Sequence, residues 1–254
     1  MRVALAQLNP TVGDVRGNVR ALKGVLEHAA AGRAQLVVCP ELYLVGYPPK
    51  DLLERGWFVE RAIEGLRGVC DLSRAFPRMG ILVGCPVRSE RGRRSLRNAA
   101  VLIRDGEILA ERYKALLPSY DVFDEERYFE ASPRAQIVDF DGERLGIHIC
   151  EDAWADSELW DGQCPYDRDP VHELVSDGAT VLVNISASPF NVGKEGVRQR
   201  LVSGHARRHG VPFVYVWNDP RFPWMRYGSI PVFGASWNQW SGRQYARRVG
   251  VTLW

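Results

Sequence analysis

The sequence runs to 254 residues, 46% of them hydrophobic, enough for one large α/β domain or two small ones with a real core. A formal net charge of +2, with acids and bases interspersed, leaves no basic stripe, so neither nucleic acid nor a membrane surface is an expected partner. The five cysteines (Cys39, Cys70, Cys85, Cys150 and Cys164) include no Cys-x-x-Cys pair, which argues against a zinc site or a disulfide framework. Reduced thiols in a cytoplasmic protein are the expectation.

Val3-Ala4-Leu5-Ala6 is apolar but breaks at Gln7, Asn9 and Pro10, far short of the roughly 20 residues that cross a bilayer. Neither a signal peptide nor a transmembrane span is expected. Arg2 to Leu8 reads instead as a first strand running from the sheet edge into the core. Asn9 to Asp14 is a loop, and Asp14 or Asn18 can cap a helix from about Val15 to Ala31, whose Val19, Leu22, Val25, Leu26 and Ala29 recur at helical spacing. Ala34 to Val38 is unbroken and β-branched, as a strand buried on both faces requires. Gly46, Pro48 and Pro49 stiffen the loop after it, and a short helix follows. A second long helix is expected from about Trp57 to Ala75, then a buried strand from Gly80 to Cys85. The Arg- and Ser-rich segment Glu90 to Arg97 reads as a solvated hairpin tip.

Asn98 to Arg104 and Glu107 to Tyr113 flank Asp105-Gly106, and Ala135 to Phe140 and Arg144 to Ile149 flank Asp141-Gly142. Both are hairpin signatures, and two hairpins within an otherwise strand-helix chain predict mixed rather than purely parallel sheets. Pro170 to Gly178 is a helix, Thr180 to Ile185 a buried strand, Glu195 to His209 a basic amphipathic helix, and Pro212 to Val216 a strand.

Three strand ends carry reactive groups. Leu36-Val37-Val38-Cys39-Pro40 leads to Glu41, Ile108 to Tyr113 leads to Lys114, and Arg144 to Ile149 leads to Cys150-Glu151-Asp152. Open α/β sheets place their chemistry at strand tips of this kind. Taken singly, each residue has an ordinary explanation: a buried cysteine packs as a small hydrophobe, and a glutamate or lysine is usually solvated. Glu41 is expected at the sheet rim, partly desolvated, with a raised pKa suited to base work. The two acids after Cys150 are expected to meet water, substrate or a cation, and a nearby ammonium to favour the thiolate. Together a thiol, a carboxylate and an amine form a set competent to cleave an amide, with the ammonium and the Glu151 N–H holding the oxyanion.

Four stretches carry a resemblance. They are Pro40-Glu41 with Gly46-Tyr47-Pro48-Pro49-Lys50-Asp51-Leu52; Lys114-Ala115-Leu116-Leu117-Pro118 continuing to Phe129; Ile149-Cys150-Glu151-Asp152-Ala153-Trp154; and Asn184-Ile185-Ser186-Ala187-Ser188-Pro189-Phe190. They resemble the Glu-Lys-Cys segments of the nitrilase, or carbon–nitrogen hydrolase, superfamily. Within it, the Lys-x-Leu-Leu-Pro and Asn-Ile-Ser-Ala-Ser-Pro stretches point to the glutaminase domains of glutamine-dependent NAD+ synthetases. The resemblance implies an α/β fold with mixed sheets in a four-layer αββα sandwich. It implies Cys150 as nucleophile, Glu41 as general base and Lys114 as third member, with glutamine bound by Tyr120, Ser188 and Lys194. Lys194 would neutralise the substrate α-carboxylate, while Tyr120 and Ser188 would hydrogen-bond its polar groups. Glu151, Phe123 and Glu125 would line the pocket. The implied activity is a glutamine amidohydrolase whose partners are L-glutamine and an ammonia-accepting NAD+ synthetase domain or subunit. No cofactor and no metal is expected. Members of the superfamily also associate through a sandwich face, so a homo-oligomer is open.

Two departures qualify this. No Ser-Gly-Gly-x-Asp-Ser loop for ATP pyrophosphate occurs, so this polypeptide alone is expected to hydrolyse glutamine at most and not to ligate ammonia. The resemblance covers residues 2 to about 216, which sets a hydrolase domain at 1–216. Residues 217–254 hold five tryptophans and a single acid, Asp219, without helical or alternating period. That shift reads as a frame lost near residue 216, which would leave last strands missing and a sheet edge exposed. The competing readings are an amidase acting on another small amide, and an inactive relic that keeps the triad without its geometry.

Overall fold

A computed structural model of the chain describes residues 1–89, 96–120, 123–156, 160, 164–187, 194–218 and 250–253, with the backbone alone for 194, 195 and 250–253. In chain order the elements are β1 (Arg2–Leu5), α1 (Val15–Ala31), β2 (Leu36–Val38), α2 (Gly56–Ser73), β3 (Gly80–Arg88), β4 (Leu96–Arg104), β5 (Glu107–Tyr113), β6 (Val138–Phe140), β7 (Glu143–Ile149), α3 (Pro170–Ser176), β8 (Val181–Ser186), α4 (Lys194–His209), β9 (Phe213–Trp217) and β10 (Gly250–Leu253). Among the described residues three 3-10 turns punctuate the loops, at Lys50–Glu54, Glu125–Arg127 and Cys150–Ala153.

The strands form two sheets, ordered β10-β1-β2-β3-β4-β5 and β6-β7-β8-β9. β1, β2 and β3 run parallel, as do β7, β8 and β9, while β3-β4-β5 and β6-β7 are antiparallel. Both sheets are therefore mixed, as the two Asp-Gly turns require: Asp105 and Asp141 sit at positive φ (51° and 48°), followed by Gly106 and Gly142 at 84° and 79°.

The strand period of two explains the layering. On β8, Val181, Val183 and Ile185 face a cluster shared with Leu36, Val38, Leu82 and Leu102 of the other sheet, whereas Leu182 turns to α3 and α4 with Leu174, Leu201 and Phe213. On β3 and β4, Leu82, Ala100 and Leu102 point between the sheets, while Ile81, Val83, Val101 and Ile103 pack on α1 and α2 through Leu22, Leu26, Leu66 and Val69. The unbroken apolar runs are thus buried on both faces, each fully buried aliphatic side chain contributing about 1.5–3 kcal/mol. The result is the αββα sandwich.

Several boundaries differ from the sequence reading. β1 is interior, flanked by β2 and by β10, because a strand from the tail pairs with it in parallel, Arg2 opposite Gly250 through Leu5 opposite Leu253. The lack of period in the tail gave no sign of that strand. Leu96 and Arg97, expected in a solvated tip, belong to β4, and Leu96 is buried beside Phe58 and Phe129; residues 90–95 lie outside the described residues. Asp14 caps α1 by accepting from the Gly17 N–H. Asn18 instead ties the loops together, accepting from the Thr11 N–H and donating to Thr11 O and Leu44 O.

Candidate active site

Four strands end at one place. β2 leads through Cys39-Pro40 to Glu41, β5 leads directly to Lys114, β7 to Cys150, and β8 ends at Ser186. The ladder between β4 and β5 continues one step beyond Tyr113, with the Lys114 N–H donating to Asn98 O. Lys114 is thereby aimed inward and is 1% exposed, where a lysine after a polar strand would otherwise be solvated.

Lys114 Nζ lies 2.8 Å from Glu41 Oε1, and 2.8 Å and 2.7 Å from the two oxygens of Glu125. Glu41 is held from two further sides. Asn98 Nδ2 donates to its Oε1 at 2.8 Å, and the Ala187 N–H donates to its Oε2 at 2.8 Å. Tyr47 donates its hydroxyl to Glu125. Gly84 of β3 makes room for this arrangement: a Cβ there would lie 2.4 Å from both Pro40 O and Leu42 N, so the Glu41 segment crosses where a side chain is missing.

Burial pushes the Glu41 carboxyl up, with Glu125 adding to that and Lys114 opposing it. Burial alone would discharge Lys114, but Glu125 and Glu41 outweigh it and hold the ammonium well above the ordinary lysine value. Cys150 interacts with Glu41, Lys114 and Glu151, and burial, reinforced by Glu41, pushes its thiol up despite Lys114. The ammonium does favour the thiolate, as expected, but burial outweighs it. The same burial that raises the thiol also raises the Glu41 carboxyl.

Cys150 sits at φ +45° at the start of its 3-10 turn, a conformation unusual for a residue with a side chain. The surroundings hold it there. Asn184 Nδ2 donates to Cys150 O, and His205 Nε2 donates to Ala153 O at 2.7 Å. Asp152 does most of the fastening. Its Oδ2 accepts from the Ile149 N–H, and its Oδ1 accepts from the N–H groups of Ala115 and Leu116, all at 2.8–2.9 Å. The acid expected to meet water, substrate or a cation is instead satisfied by backbone amides, and it clamps the cysteine turn to the lysine segment.

The other acid, Glu151, accepts from Tyr120 Oη at 2.9 Å and from Tyr166 Oη. Tyr120 is half exposed and stacks edge-on against Phe123, 5.5 Å between ring centres, so this side forms the mouth of the site. A cavity of about 270 Å³ flanks the cluster; Glu125, Tyr47, Phe123 and Leu42 line it, Cys150 and Lys114 do not. Ser188 lies outside the described residues, and Lys194 opens α4 with only its backbone described.

The profile of the Carbon-nitrogen hydrolase family matches residues 2–163. The chain belongs to the carbon–nitrogen hydrolase family. It is an amide-hydrolysing enzyme by class. The hydrolase is 42% identical over 218 residues to a glutamine-dependent NAD(+) synthetase of Synechocystis sp., covering 84% of this chain and 38% of that protein. With the synthetase of Thermotoga maritima it shares 36% over 216 residues, 85% of this chain and 35% of the other. It therefore spans little more than a third of these curated relatives. The structure of glutamine-dependent NAD+ synthetase from Acinetobacter baumannii matches with a TM-score of 0.75 at 28% identity, over 85% of this chain and 38% of that one. An amidase from Nesterenkonia sp. matches in fold, with a TM-score of 0.70 at 19% identity over 85% and 75% of the two chains.

Sequence reading of the hydrolase missed several participants. Asn98 is a polar residue opening an otherwise apolar buried stretch, Ala99 to Ile103, and that contrast is visible in the sequence. Glu41 is fully buried rather than at a half-wet rim, its carboxylate taken up by Lys114, Asn98 and the Ala187 N–H. Glu125, placed only in the pocket lining, is the second carboxylate on Lys114. Tyr47 stood in a stretch that carried the resemblance but with no role assigned, and Tyr166 carried no local signal: their partners, Glu125 and Glu151, lie 78 and 15 residues away along the chain.

Proposed function

We propose that this hydrolase releases ammonia from the side-chain amide of L-glutamine through a thioester on Cys150. The buried Glu41–Lys114–Cys150 cluster carries the reading, and the similarity to glutamine-dependent synthetases supplies the substrate. Glu41 takes the Cys150 proton as sulfur attacks the amide carbon, and the carbonyl electron pair moves onto oxygen. The Lys114 ammonium and the Glu151 N–H stabilise that oxyanion. As the intermediate collapses, the carbon–nitrogen bond breaks and the proton on Glu41 passes to the leaving nitrogen, giving ammonia. Water then gives a proton to Glu41 and adds to the thioester. The carbon–sulfur bond breaks, the thiol regains its proton, and glutamate leaves.

A single carboxylate serves as base and acid in turn, which suits a group whose pKa is raised towards the working pH. Lys194 pairs with the substrate α-carboxylate, and Tyr120 and Ser188 hydrogen-bond its polar groups. Glu151, an acid at the mouth, receives the substrate ammonium. The ammonia serves a synthetase acting on deamido-NAD+, on a separate domain or subunit, in the cytoplasm.

The test is substrate choice. Purified chain is offered L-glutamine, L-asparagine and simple aliphatic amides, with ammonia and the carboxylic acid both quantified. Glutamine should exceed the others in kcat/KM by about 100-fold, since a site with charged partners for the α-groups rejects substrates that leave them unpaired. Equal or faster turnover of a simple amide would overturn the glutamine assignment, as would no turnover at all.

A further inference from the structure

Two phenols converge on a single oxygen of Glu151. Tyr120 Oη donates to Oε1 at 2.9 Å, and Tyr166 Oη donates to the same atom. No donor among the described residues takes Oε2. The carboxylate itself is buried, at 5% exposure, next to Cys150 in the chain. Burial, and then the Glu151 carboxylate, push both phenols up, so both stay donors. Tyr166 is presented from a fastened stretch between the cysteine turn and α3. Arg168 pairs with both oxygens of Glu173 on α3, at 2.9 Å and 2.8 Å, and donates to Ser132 O at 2.8 Å. The Ser132 N–H in turn donates to Lys114 O at 2.8 Å, and Asp169 caps α3 by accepting from the His172 N–H. The tyrosine is thus tied both to the lysine segment and to the helix behind it.

The last torsion of a glutamate is broad, and its two oxygens are equivalent when nothing distinguishes them. Two donors on one oxygen remove both freedoms: the plane of the carboxylate is set, and the other oxygen is left to accept. We propose that Tyr166 is a positioning residue for substrate selectivity, pinning Glu151 Oε1 together with Tyr120 so that Oε2 is presented to the α-ammonium of the substrate. This rests on the glutamine reading given above and assigns the α-amino selectivity of that site. Tyr166 does not touch the substrate; it acts through Glu151. A carboxylate already ordered costs the incoming ammonium no side-chain entropy, so the pair binds more tightly than one formed by a freely turning acid. An amide without an α-amino group leaves that buried oxygen unpaired, which is how a polar site rejects a near-isostere.

The test compares L-glutamine with glutaramic acid, which is glutamine without its α-amino group, in wild type, Y166F, E151Q and E151Q/Y166F. Y166F removes one oxygen from a half-buried ring. With glutamine it should raise KM about 10-fold, the lower end for one hydrogen bond to a charged group, and leave kcat nearly unchanged. With glutaramic acid neither constant should move by more than about twofold, within the scatter of independent sites. Adding Y166F to E151Q should change little further, since the charge it orients is then gone. Calorimetry on C150A and C150A/Y166F makes the same comparison without turnover: the affinity for glutamine should fall about 10-fold and that for glutaramic acid should hold. A wild-type KM and affinity for glutamine in Y166F would overturn the proposal. So would an equal loss on both ligands, which is what a merely structural role gives. The two readings separate in the wild-type side chain at 166: if glutaramic acid binds and reacts as well as glutamine there, the glutamine assignment falls and takes the inference with it, whereas a glutamine preference that survives in Y166F sinks the inference alone.

Discussion

Lys114 Nζ sits 2.8 Å from Glu41 Oε1 with both groups cut off from water, at 1% and 0% exposure of their side chains. Glu125 takes the opposite side of the same ammonium. One cation thus separates two buried carboxylates. Replacing it with an apolar chain of similar length, K114M, leaves the two acids uncompensated, and removing one partner of a buried ion pair costs about 3–5 kcal/mol. Urea unfolding should show that loss, and K114M/E125Q should regain part of it by removing one of the facing charges. An unchanged midpoint in K114M would contradict the arrangement.

In the proposed mechanism Glu41 moves the proton as well as holding the lysine. E41Q keeps the shape and an oxygen for Asn98 but cannot accept a proton. Turnover should fall by about 10²- to 10⁴-fold, the usual range for a lost general base. Circular dichroism should remain that of wild type. Retention of more than about a tenth of the activity, well outside that range, would remove Glu41 from the base role.

Asp152 makes a prediction about pH. Burial raises its pKa from 3.8 to about 7, against the pull of the backbone N–H groups of Ile149, Leu116 and Ala115 and the charge of Lys114. Between those values the folded protein retains a proton that the unfolded chain has released. The contribution of this group to stability is therefore fully present below 3.8, declines as pH rises towards 7, and is level above. D152N removes the titration and should flatten that part of the stability–pH curve. It also faces the Ile149 N–H with an amide donor, so it should be less stable overall, by about 1–3 kcal/mol for the unsatisfied group. A D152N curve with the wild-type slope between about pH 4 and 7 would rule out this account.

Gly84 is tested by adding one carbon. In G84A the new Cβ meets the backbone at Pro40 O and Leu42 N, which cannot rotate away as a side chain would. Overpacking of this kind costs about 1–3 kcal/mol. Because the displaced segment carries Glu41, kcat should fall more than KM changes. A thermal melt and steady-state kinetics together check it; wild-type values in both would show that the close approach does not exist in solution.

Much of the fold was legible because burial and period agreed. The β-branched runs at 36–38, 81–83 and 181–185 could satisfy two apolar faces only as interior strands, and Asp105-Gly106 and Asp141-Gly142 could close only hairpins. The candidate site residues were legible as strand tips: Glu41 and Cys150 follow apolar runs and Lys114 follows β5, and it is their conjunction that pointed to a site. What stayed hidden was pairing across the chain. Nothing local distinguishes Asp152, bound to amides 36 and 37 residues away, from an acid facing water. Nothing near Tyr215 points to Ser186, 29 residues earlier. The net direction of the Cys150 shift was not legible for a related reason: a neighbouring ammonium can be inferred from sequence, whereas the depth of burial that outweighs it cannot. β10 was missed because a four-residue strand in a stretch without period announces itself only through its partner, β1.

In the proposed reaction Cys150 opens the side-chain amide of glutamine. A diazoketone analogue of glutamine, which alkylates a thiol only after occupying the substrate position, tests it directly when followed by peptide mass spectrometry of the full chain. The expected result is one adduct per chain on Cys150, blocked by excess L-glutamine, with Cys39, Cys70, Cys85 and Cys164 unlabelled. Labelling spread over the other cysteines, or no adduct that glutamine can prevent, would contradict the account.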